Sequence, residues 1–230
     1  MGTGVVQGII FGGMLAFVTA QIFARIKATR VNGWLTIFGC GVPGNNMLMR
    51  AACSQIFLGP VNVPQEAMYW KTHVDGAGHG LSGERNYIMH FPPGGLPPND
   101  AFWSLTMADA KERFVPNPIN RYNVSDRSGL VPNADGSVDV YIQNAAPAGH
   151  ESNWLPAPAG NFRLWLRAYI PGATILDREY TVPPASLQPM TAGVQACSSA
   201  SCRNSLIAPG HASGSPSGSP LASSTPDSTR

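Results

Sequence analysis

Charged side chains are scarce in this chain, and no long run of one sign occurs. Asp, Glu, Lys and Arg together make up 12% of the 230 residues, and 15 basic against 13 acidic side chains leave a formal net charge of +2. Proteins that bind nucleic acids usually present a clustered basic surface, often with aromatic side chains between the charges. No segment here has that composition, so we predict no nucleic-acid partner.

The sequence signatures of several enzyme classes are also missing. The chain has no Gly-x-Ser-x-Gly elbow, no phosphate-binding loop and no dinucleotide fingerprint. Its four cysteines (Cys40, Cys53, Cys197 and Cys202) include no Cys-x2-Cys pair and form no metal pattern. We predict free or buried thiols, with a Cys197–Cys202 bridge as the alternative in an oxidising compartment. No cofactor is predicted.

Glycine and proline, by contrast, are abundant. The 25 Gly and 21 Pro separate short alternating runs, an arrangement that suits an all-β domain and fits a helical bundle poorly. The strand-like runs are "NYIMHF", "AFWSLTM", "RYNVSD" and "SVDVYIQN", and "NADGS" at 133–137 carries an Asp-Gly turn signal. We therefore predict an all-β, antiparallel two-layer β-sandwich, jelly-roll-like. Its predicted buried residues include Phe102, Val138, Val140, Ile142, Leu164 and Leu166.

Residues 162–170 alternate with the period of a strand. One face carries Phe162, Leu164, Leu166, Ala168 and Ile170, and the other carries Arg163, Trp165, Arg167 and Tyr169. The first face is predicted to lie in the core. Because contiguous aromatic surface is seldom left bare in a monomer, the second face is predicted either to be covered by the N-terminal segment or to line a shallow cleft.

A twenty-residue uncharged stretch, Val5 to Ala24, is long enough to cross a bilayer as a helix. We predict a single-pass anchor over 1–30, with a cleaved signal peptide as the alternative, since Val18–Ala20 resembles a cleavage site. The basic cluster that follows (Arg25, Lys27, Arg30) favours a cytoplasmic body. The low charge of the body and its Ser-rich tail favour an exported one, so the side of the membrane stays open.

The remaining boundaries follow from composition. Residues 31–62 are predicted to connect the anchor to the body and to hold a short helix in "NNMLMRAACSQIF", capped by Asn45 or Asn46. The sandwich is assigned to 63–184. The Ser-, Pro- and Gly-rich tail, 185–230, is predicted to be disordered because it has too little apolar surface to bury.

The body contains the blocks "EAMYW" at 66–70, "GLSGERNYIMHFPPGGLPPNDAFWSLTM" at 80–107, "NPINRY" at 117–122, "NADGSVDVYIQ" at 133–143 and "NWLPAPAGNFRLWLRAYIP" at 153–171. These blocks resemble the DUF1214 family. The resemblance implies a jelly-roll-like antiparallel sandwich and no agreed activity. Members of the family are often joined to a DUF1254 domain. A full domain of that kind does not fit in the remaining residues, so a DUF1254-type protein is a possible separate partner.

The matching blocks contain many amide, guanidinium and indole side chains, which together bind sugars and small anions in other proteins. The structural alternative is that the Asn side chains satisfy backbone groups in Pro-rich loops and that Arg stacks on Trp. This set of polar and aromatic side chains also contains Asn120, Arg163 and Trp165. The predicted ligand-binding residues are Trp103, Asn117, Arg121, Asn153, Trp154 and Arg167.

Two loops, "NPINRY" and "NWLPAP", each begin with Asn and carry Pro, which restricts the backbone around it. We predict that they bring Asn117, Arg121, Asn153 and Trp154 together at one end of the sandwich. Arg121 paired with a buried carboxylate would be a structural clamp. Arg121 left open beside Trp154 would be a ligand contact.

The segment "HVDGAGH" brings His73, Asp75 and His79 close together, with Glu84 and His90 nearby. Imidazole and carboxylate are ligands of zinc and non-haem iron, but the spacing fits no established motif. The alternative is a Gly-rich loop with a hydrogen-bonded Asp at a turn, and no metal is assigned.

Two functions remain open. The first is a membrane-tethered, non-catalytic binding or accessory module for a carbohydrate, a small anion or another polar envelope component. It is favoured by the aromatic and amide cluster and by the missing catalytic signatures. The alternative is a hydrolase-like or metal-dependent enzyme that uses the His73–Asp75–His79 loop or a carboxylate such as Asp100 or Asp109.

Overall fold

The computed structural model describes residues 2–188, in which an apolar helix leads into a body of two β-sheets. The helices are α1 (Gly2–Lys27), α2 (Met47–Phe57) and the short α3 (Ala173–Leu176). The strands are β1 (Thr29–Val31), β2 (Trp34–Thr36), β3 (Ala67–Thr72), β4 (Tyr87–Phe91), β5 (Asn99–Asp109), β6 (Asn123–Ser125), β7 (Val138–Gln143), β8 (Trp154–Pro156), β9 (Phe162–Pro171) and β10 (Ala185–Leu187).

The larger sheet has the order β1-β2-β3-β9-β5-β6, and the smaller one has the order β10-β4-β7-β8. Every pairing is antiparallel except β7 with β8, in which Tyr141 lies beside Trp154 in a parallel register. This confirms the predicted two-sheet, mainly antiparallel body. The parallel pair was not predicted; it arises because residues 144–153 carry the chain back alongside the second half of β7, so that β8 runs in the same direction. The jelly-roll topology stays a prediction.

The main core contains the inward faces of both sheets. Leu164 and Leu166 of β9 are fully buried, as are Val140 and Ile142 of β7. Alternating side chains of a strand point to opposite faces, so the predicted assignment of these residues to the core is confirmed.

Phe102 was wrongly predicted to be buried. It is half-buried and stacks on Tyr169 with ring centroids 4.4 Å apart, while its neighbour Trp103 is 1% exposed and fills the core. Adjacent strand residues cannot share a face, and the larger ring points inward. The alternation of β9 also ends early, because Ile170 has a φ of 50° and is 45% exposed.

Helix α1 covers Gly2–Lys27 and therefore extends beyond the predicted span. Its mean hydropathy reaches 1.8, and it is long and apolar enough to cross a membrane, a property that it shares with signal sequences. Within α1 only Ala20 and Ala24 are buried. Its large apolar side chains are exposed along the helix, except for Phe23, which is half-buried.

The sheets extend beyond the predicted boundaries of 63–184. Strands β1 and β2 form one edge of the larger sheet, and β10 pairs with β4 in the smaller one. The predicted short helix is present as α2, and Asn46 caps it by accepting a 2.8 Å hydrogen bond from the backbone N–H of Met49.

Cys40 and Cys53 form a disulfide, which corrects the prediction that they are free or buried thiols. The chain between them turns back onto α2 and brings their Cα atoms to 5.8 Å, within the range that a bridge needs. Cys197 and Cys202 lie outside the described residues, as does the tail from residue 189 onward.

Candidate functional site

The structure brings the "NPINRY" and "NWLPAP" loops into direct contact through Arg121. Its Nη1 atom donates to the backbone carbonyls of Glu151 at 2.8 Å, Ser152 at 3.1 Å and Trp154 at 2.9 Å. Neither predicted setting of Arg121 occurs: it has no carboxylate partner within the described chain, and the guanidinium is not left open. Instead, the Arg121 guanidinium donates hydrogen bonds to the backbone carbonyls of a turn in the other loop, so Arg121 connects the two loops.

The two loop asparagines are occupied by backbone groups. The Asn117 amide donates to the carbonyls of Val115 and Arg121, and its Oδ1 accepts from the Arg121 N–H at 2.9 Å. Asn153 is 4% exposed and bridges the backbone of Val131 and Asp139. Side-chain amides used in this way stabilise turns and leave few donors for a ligand.

The two candidate tryptophans also point into the body. The Trp154 indole donates to the Gln143 carbonyl at 2.9 Å. Trp103 lies in the core, 5.7 Å from Phe91 between ring centroids, and its indole N–H has no hydrogen-bond partner among residues 2–188. Among the six candidate binding residues, Arg167 lines a cavity of about 280 Å³.

The His73–Asp75–His79 segment forms a turn. Asp75 is 1% exposed, and its Oδ1 accepts from the N–H groups of Ala77 and His79, each at 2.9 Å. The His79 ring is largely exposed, with Nδ1 3.6 Å from the same oxygen. In the part of the chain that the structure covers, no three His, Cys, Asp or Glu side chains are grouped to hold a metal.

The other candidate acids have separate settings. His90 contacts Asp139 at 2.6 Å on the smaller sheet and makes no hydrogen bond to Asp75 in the described chain. Asp109 is held by its own turn, and the backbone N–H of Arg113, followed by two hydrogen bonds from the Arg113 side chain, lowers its pKa. Asp100 is exposed. The geometry brings none of them into one catalytic group.

A cleft of about 280 Å³ lies on the outer face of the larger sheet, beneath the end of α2 and the segment that follows it. On this face of β9, Phe57 of α2 packs against Trp165, and Trp165 and Arg167 both line the cleft, which is one of the two predicted alternatives. The lining includes Phe57, Leu58, Pro60, Val61, Tyr69, Thr106, Ala108, Glu112, Phe114, Trp165 and Arg167.

Trp165 forms part of this cleft and is held on several sides. Its ring centroid lies 6.1 Å from that of Phe57, 4.7 Å from Lys71 Nζ and 5.5 Å from the Arg167 guanidinium carbon. Its indole N–H donates to Glu112 Oε2 at 2.6 Å. The indole therefore has a fixed orientation behind the cleft.

Glu112 is a site residue that sequence reasoning missed. It lies in the turn after β5 with a φ of 64°, and its Oε1 receives Lys71 at 2.5 Å and Arg163 at 2.6 Å. Burial lowers the pKa of Lys71, while the hydrogen bond to Glu112 opposes that shift. No local signal identifies Glu112, because its partners belong to β3 and β9.

Arg167 differs from its neighbours because it has no acidic partner within 4 Å in the described chain. Its closest hydrogen-bonding contact is a long one, 3.4 Å from Nη1 to Thr106 Oγ1. Lys71 and Arg163 already share the single Glu112 carboxylate. The group therefore carries surplus positive charge, and the free donors belong to Arg167.

Tyr69 completes the polar side of the cleft. Its hydroxyl donates to Asn62 Oδ1 at 2.7 Å, and Asn62 in turn donates to Glu66 at 2.9 Å. Burial is the main cause that raises the pKa of Tyr69, so the phenol stays neutral and acts as a hydrogen-bonding group.

Taken as a class, this is a small two-sheet β protein with an apolar N-terminal helix and a cationic, aromatic cleft on its larger sheet. Residues 66–173 match the family described as a protein of unknown function, DUF1214, so this part of the chain is a DUF1214 domain. The match begins after Phe57–Val61, so one wall of the cleft lies outside the family region. No curated protein matches the chain.

Two solved structures are similar. The VPA0106 protein from Vibrio parahaemolyticus shares 26% identity with a TM-score of 0.54, over 64% of this chain and 36% of that one. An uncharacterized protein from Burkholderia cenocepacia shares 16% identity with a TM-score of 0.41, over 60% of this chain and 41% of that one. The similarity to the Vibrio protein supports the fold of this chain. The matched region spans little more than a third of that protein.

Proposed function

We propose that the protein is a membrane-tethered, non-catalytic binding module whose cleft at Arg167 and Trp165 holds a small anionic ligand, with an acidic saccharide of the envelope as the ligand class. The observation that carries the proposal is the unpaired guanidinium of Arg167 in a cleft otherwise lined largely by aromatic and aliphatic side chains.

The chemistry of the cleft supports an anion with a ring. A guanidinium binds a carboxylate through two parallel hydrogen bonds, which gives both charge and direction. Phe57 and Phe114 offer apolar surface to the faces of a sugar ring, and Tyr69 offers a polar edge. The volume of about 280 Å³ is close to the lower limit for small-molecule sites, so a single ring is favoured over a long chain.

Two features support a retained anchor. The large apolar side chains of α1 are exposed along the helix, as they are in a segment that faces lipid. Ala20, the last residue of the possible cleavage site, is 4% exposed and belongs to a continuous helix whose end packs against α2.

The disulfide supports an exported body. Cys40 and Cys53 form a disulfide bridge. Such bridges persist in oxidising compartments and are rare in reducing ones. The basic residues after α1 favour the opposite orientation, but only as a statistical bias. The bridge is a covalent bond within the folded part of the chain, so we give it more weight than the charge bias. An accessory role beside a DUF1254-type partner is supported by the family resemblance alone.

Titration calorimetry of the full-length protein in non-ionic detergent tests the cleft, with glucuronate as the acidic probe and glucose as its neutral match. We expect glucuronate to bind more tightly than glucose. Arg167→Gln should weaken glucuronate binding about tenfold or more, the effect of losing one hydrogen bond to a charged group.

Arg50→Gln is the matched control, because Arg50 is an exposed arginine of α2 that does not line the cleft. It removes the same charge and should leave glucuronate binding unchanged. Equal affinities of the Arg167→Gln and Arg50→Gln proteins for glucuronate would contradict the assignment of the cleft.

A further inference from the structure

A second cavity lies where α1 meets the body, separate from the cleft at Arg167. Its volume is about 370 Å³, and its lining includes Phe23 and Lys27 from α1, Phe38 from the connecting segment and Arg178 from the turn after α3. No residue of this lining belongs to the proposed ligand cleft.

Two cations face this cavity without an acidic partner. Within residues 2–188, neither Lys27 nor Arg178 forms an ion pair within 4 Å, and no Asp or Glu lines the cavity. Asp177 and Glu179 flank Arg178 in the chain but are not part of the lining. The cavity therefore has a positive potential that its own residues do not neutralise.

Both cations rest against aromatic rings. The Arg178 guanidinium carbon lies 4.7 Å from the centroid of Phe38, and Lys27 Nζ lies 5.6 Å from that of Phe23. Arg178 also has a φ of 66°, a left-handed conformation that is uncommon for a residue with a side chain. The ring contact restrains the direction of the arginine beside the cavity.

An apolar groove of about 190 Å³ adjoins this cavity. The two share Thr29, Phe38 and Arg178, and the groove continues over Trp34, Trp70, Tyr180 and Val182. A cationic cavity joined to an aromatic groove matches a molecule with an anionic end and an apolar end.

The position of α1 places both features near a membrane surface. A helix rises about 1.5 Å per residue, so the uncharged stretch from Val5 to Ala24 covers about 30 Å, the thickness of the hydrocarbon core. Lys27 follows within one turn and would lie at the depth of the lipid headgroups. Basic pockets at this depth bind anionic headgroups in other membrane proteins.

We infer that Lys27 and Arg178 form a binding site for the phosphate ester of an anionic lipid, with the adjoining groove holding the start of an acyl chain. This inference rests on the part of the proposed function that embeds α1 in a membrane, and it is independent of the cleft at Arg167. The phosphate oxygens would accept charge-assisted hydrogen bonds from both cations.

The test measures binding to the full-length protein in non-ionic detergent by titration calorimetry. The probes are dihexanoyl phosphatidylglycerol, dihexanoyl phosphatidylcholine and inorganic phosphate. We expect the anionic lipid to bind at least about tenfold more tightly than either other probe, because it alone supplies both a net negative charge and an apolar chain.

Variants locate the site. The double variant Lys27→Gln with Arg178→Gln should lose at least about tenfold in affinity for the anionic lipid, and the charge-keeping double variant Lys27→Arg with Arg178→Lys should retain it. The matched control, Arg25→Gln with Arg30→Gln, removes two charges from the same region but from residues that line neither feature, and it should bind like the native protein.

Each contrary outcome has one meaning. Equal loss in the Lys27/Arg178 and Arg25/Arg30 variants would overturn the site in favour of unspecific attraction. Inorganic phosphate binding as tightly as the anionic lipid would overturn the lipid assignment in favour of a free phosphate. A chain that fractionates as soluble would refute the membrane tether of the proposed function, whereas loss of the calorimetric difference, which needs no bilayer, would refute the site itself.

Discussion

Glu112 and Trp165 lie 53 residues apart in the chain, yet the carboxylate of one accepts a 2.6 Å hydrogen bond from the indole of the other. The same carboxylate pairs with Lys71 and Arg163. One side chain of a surface turn therefore fixes the indole behind the cleft and compensates two neighbouring cations.

Removing that carboxylate should destabilise the body. Glu112→Ala leaves Lys71, which is 13% exposed, without its counter-charge, and breaking such a buried pair typically costs about 3 kcal/mol. The measurement is the free energy of unfolding in urea. Glu66→Ala is the control, since Glu66 is exposed and bonded to Asn62, and it should cost less than about 1 kcal/mol. Equal losses would show that the Glu112 network contributes no special stability.

The Arg121 clamp should be weaker than a broken buried ion pair. Arg121→Ala removes three hydrogen bonds to carbonyls at a half-exposed site, and water can replace part of them, so we expect a loss of about 2 kcal/mol. Arg127→Ala, which removes one carbonyl bond at an exposed position, should cost less. Urea unfolding of both variants checks the order, and the reverse order would contradict the clamp.

The disulfide should stabilise the connecting segment and α2. Its cysteines are 13 residues apart, and a loop of that size is stabilised by about 3 kcal/mol when closed. Cys40→Ser with Cys53→Ser should lower the unfolding free energy by about that amount. Mass spectrometry of non-reduced peptides from the native protein should show residues 40 and 53 joined. Recovery of both as free thiols from freshly isolated protein would refute the bridge and remove the observation that supports the exported orientation.

His73 should titrate below the ordinary value of 6.5. Desolvation is the largest cause that lowers its pKa, and the cations Arg163, Arg30 and Lys71 add to it. Below pH 6.5 the unfolded chain then binds a proton more readily than the folded one, so this histidine reduces stability as the pH falls through that window. An NMR titration of its ring measures the midpoint.

Arg163→Gln supplies the internal comparison for His73. It removes one of the cations that oppose protonation, so the midpoint of His73 should move upward toward 6.5. A native midpoint at or above 6.5, or a midpoint that falls in the variant, would count against this electrostatic account.

Patterns between near neighbours determined much of the fold. The alternation from Phe162 to Ala168 was sufficient to place β9 and its inward face, and Asn46 marked the start of α2. The uncharged stretch within α1 likewise identified a helix long enough to span a membrane. Each of these signals depends on the spacing of residues within one element, which is what a sequence displays directly.

Only the tertiary structure decided the site. Strand order and register brought Glu112 to Lys71, Arg163 and Trp165, and chain reversal joined Cys40 to Cys53. The two predicted loops are in contact, but their polar side chains are hydrogen-bonded to backbone carbonyls and amides. The donors that remain for a ligand are those of Arg167. These outcomes depend on which elements pack together, because partners distant in sequence share no periodicity, and hydrogen-bond satisfaction is settled only when the elements are assembled.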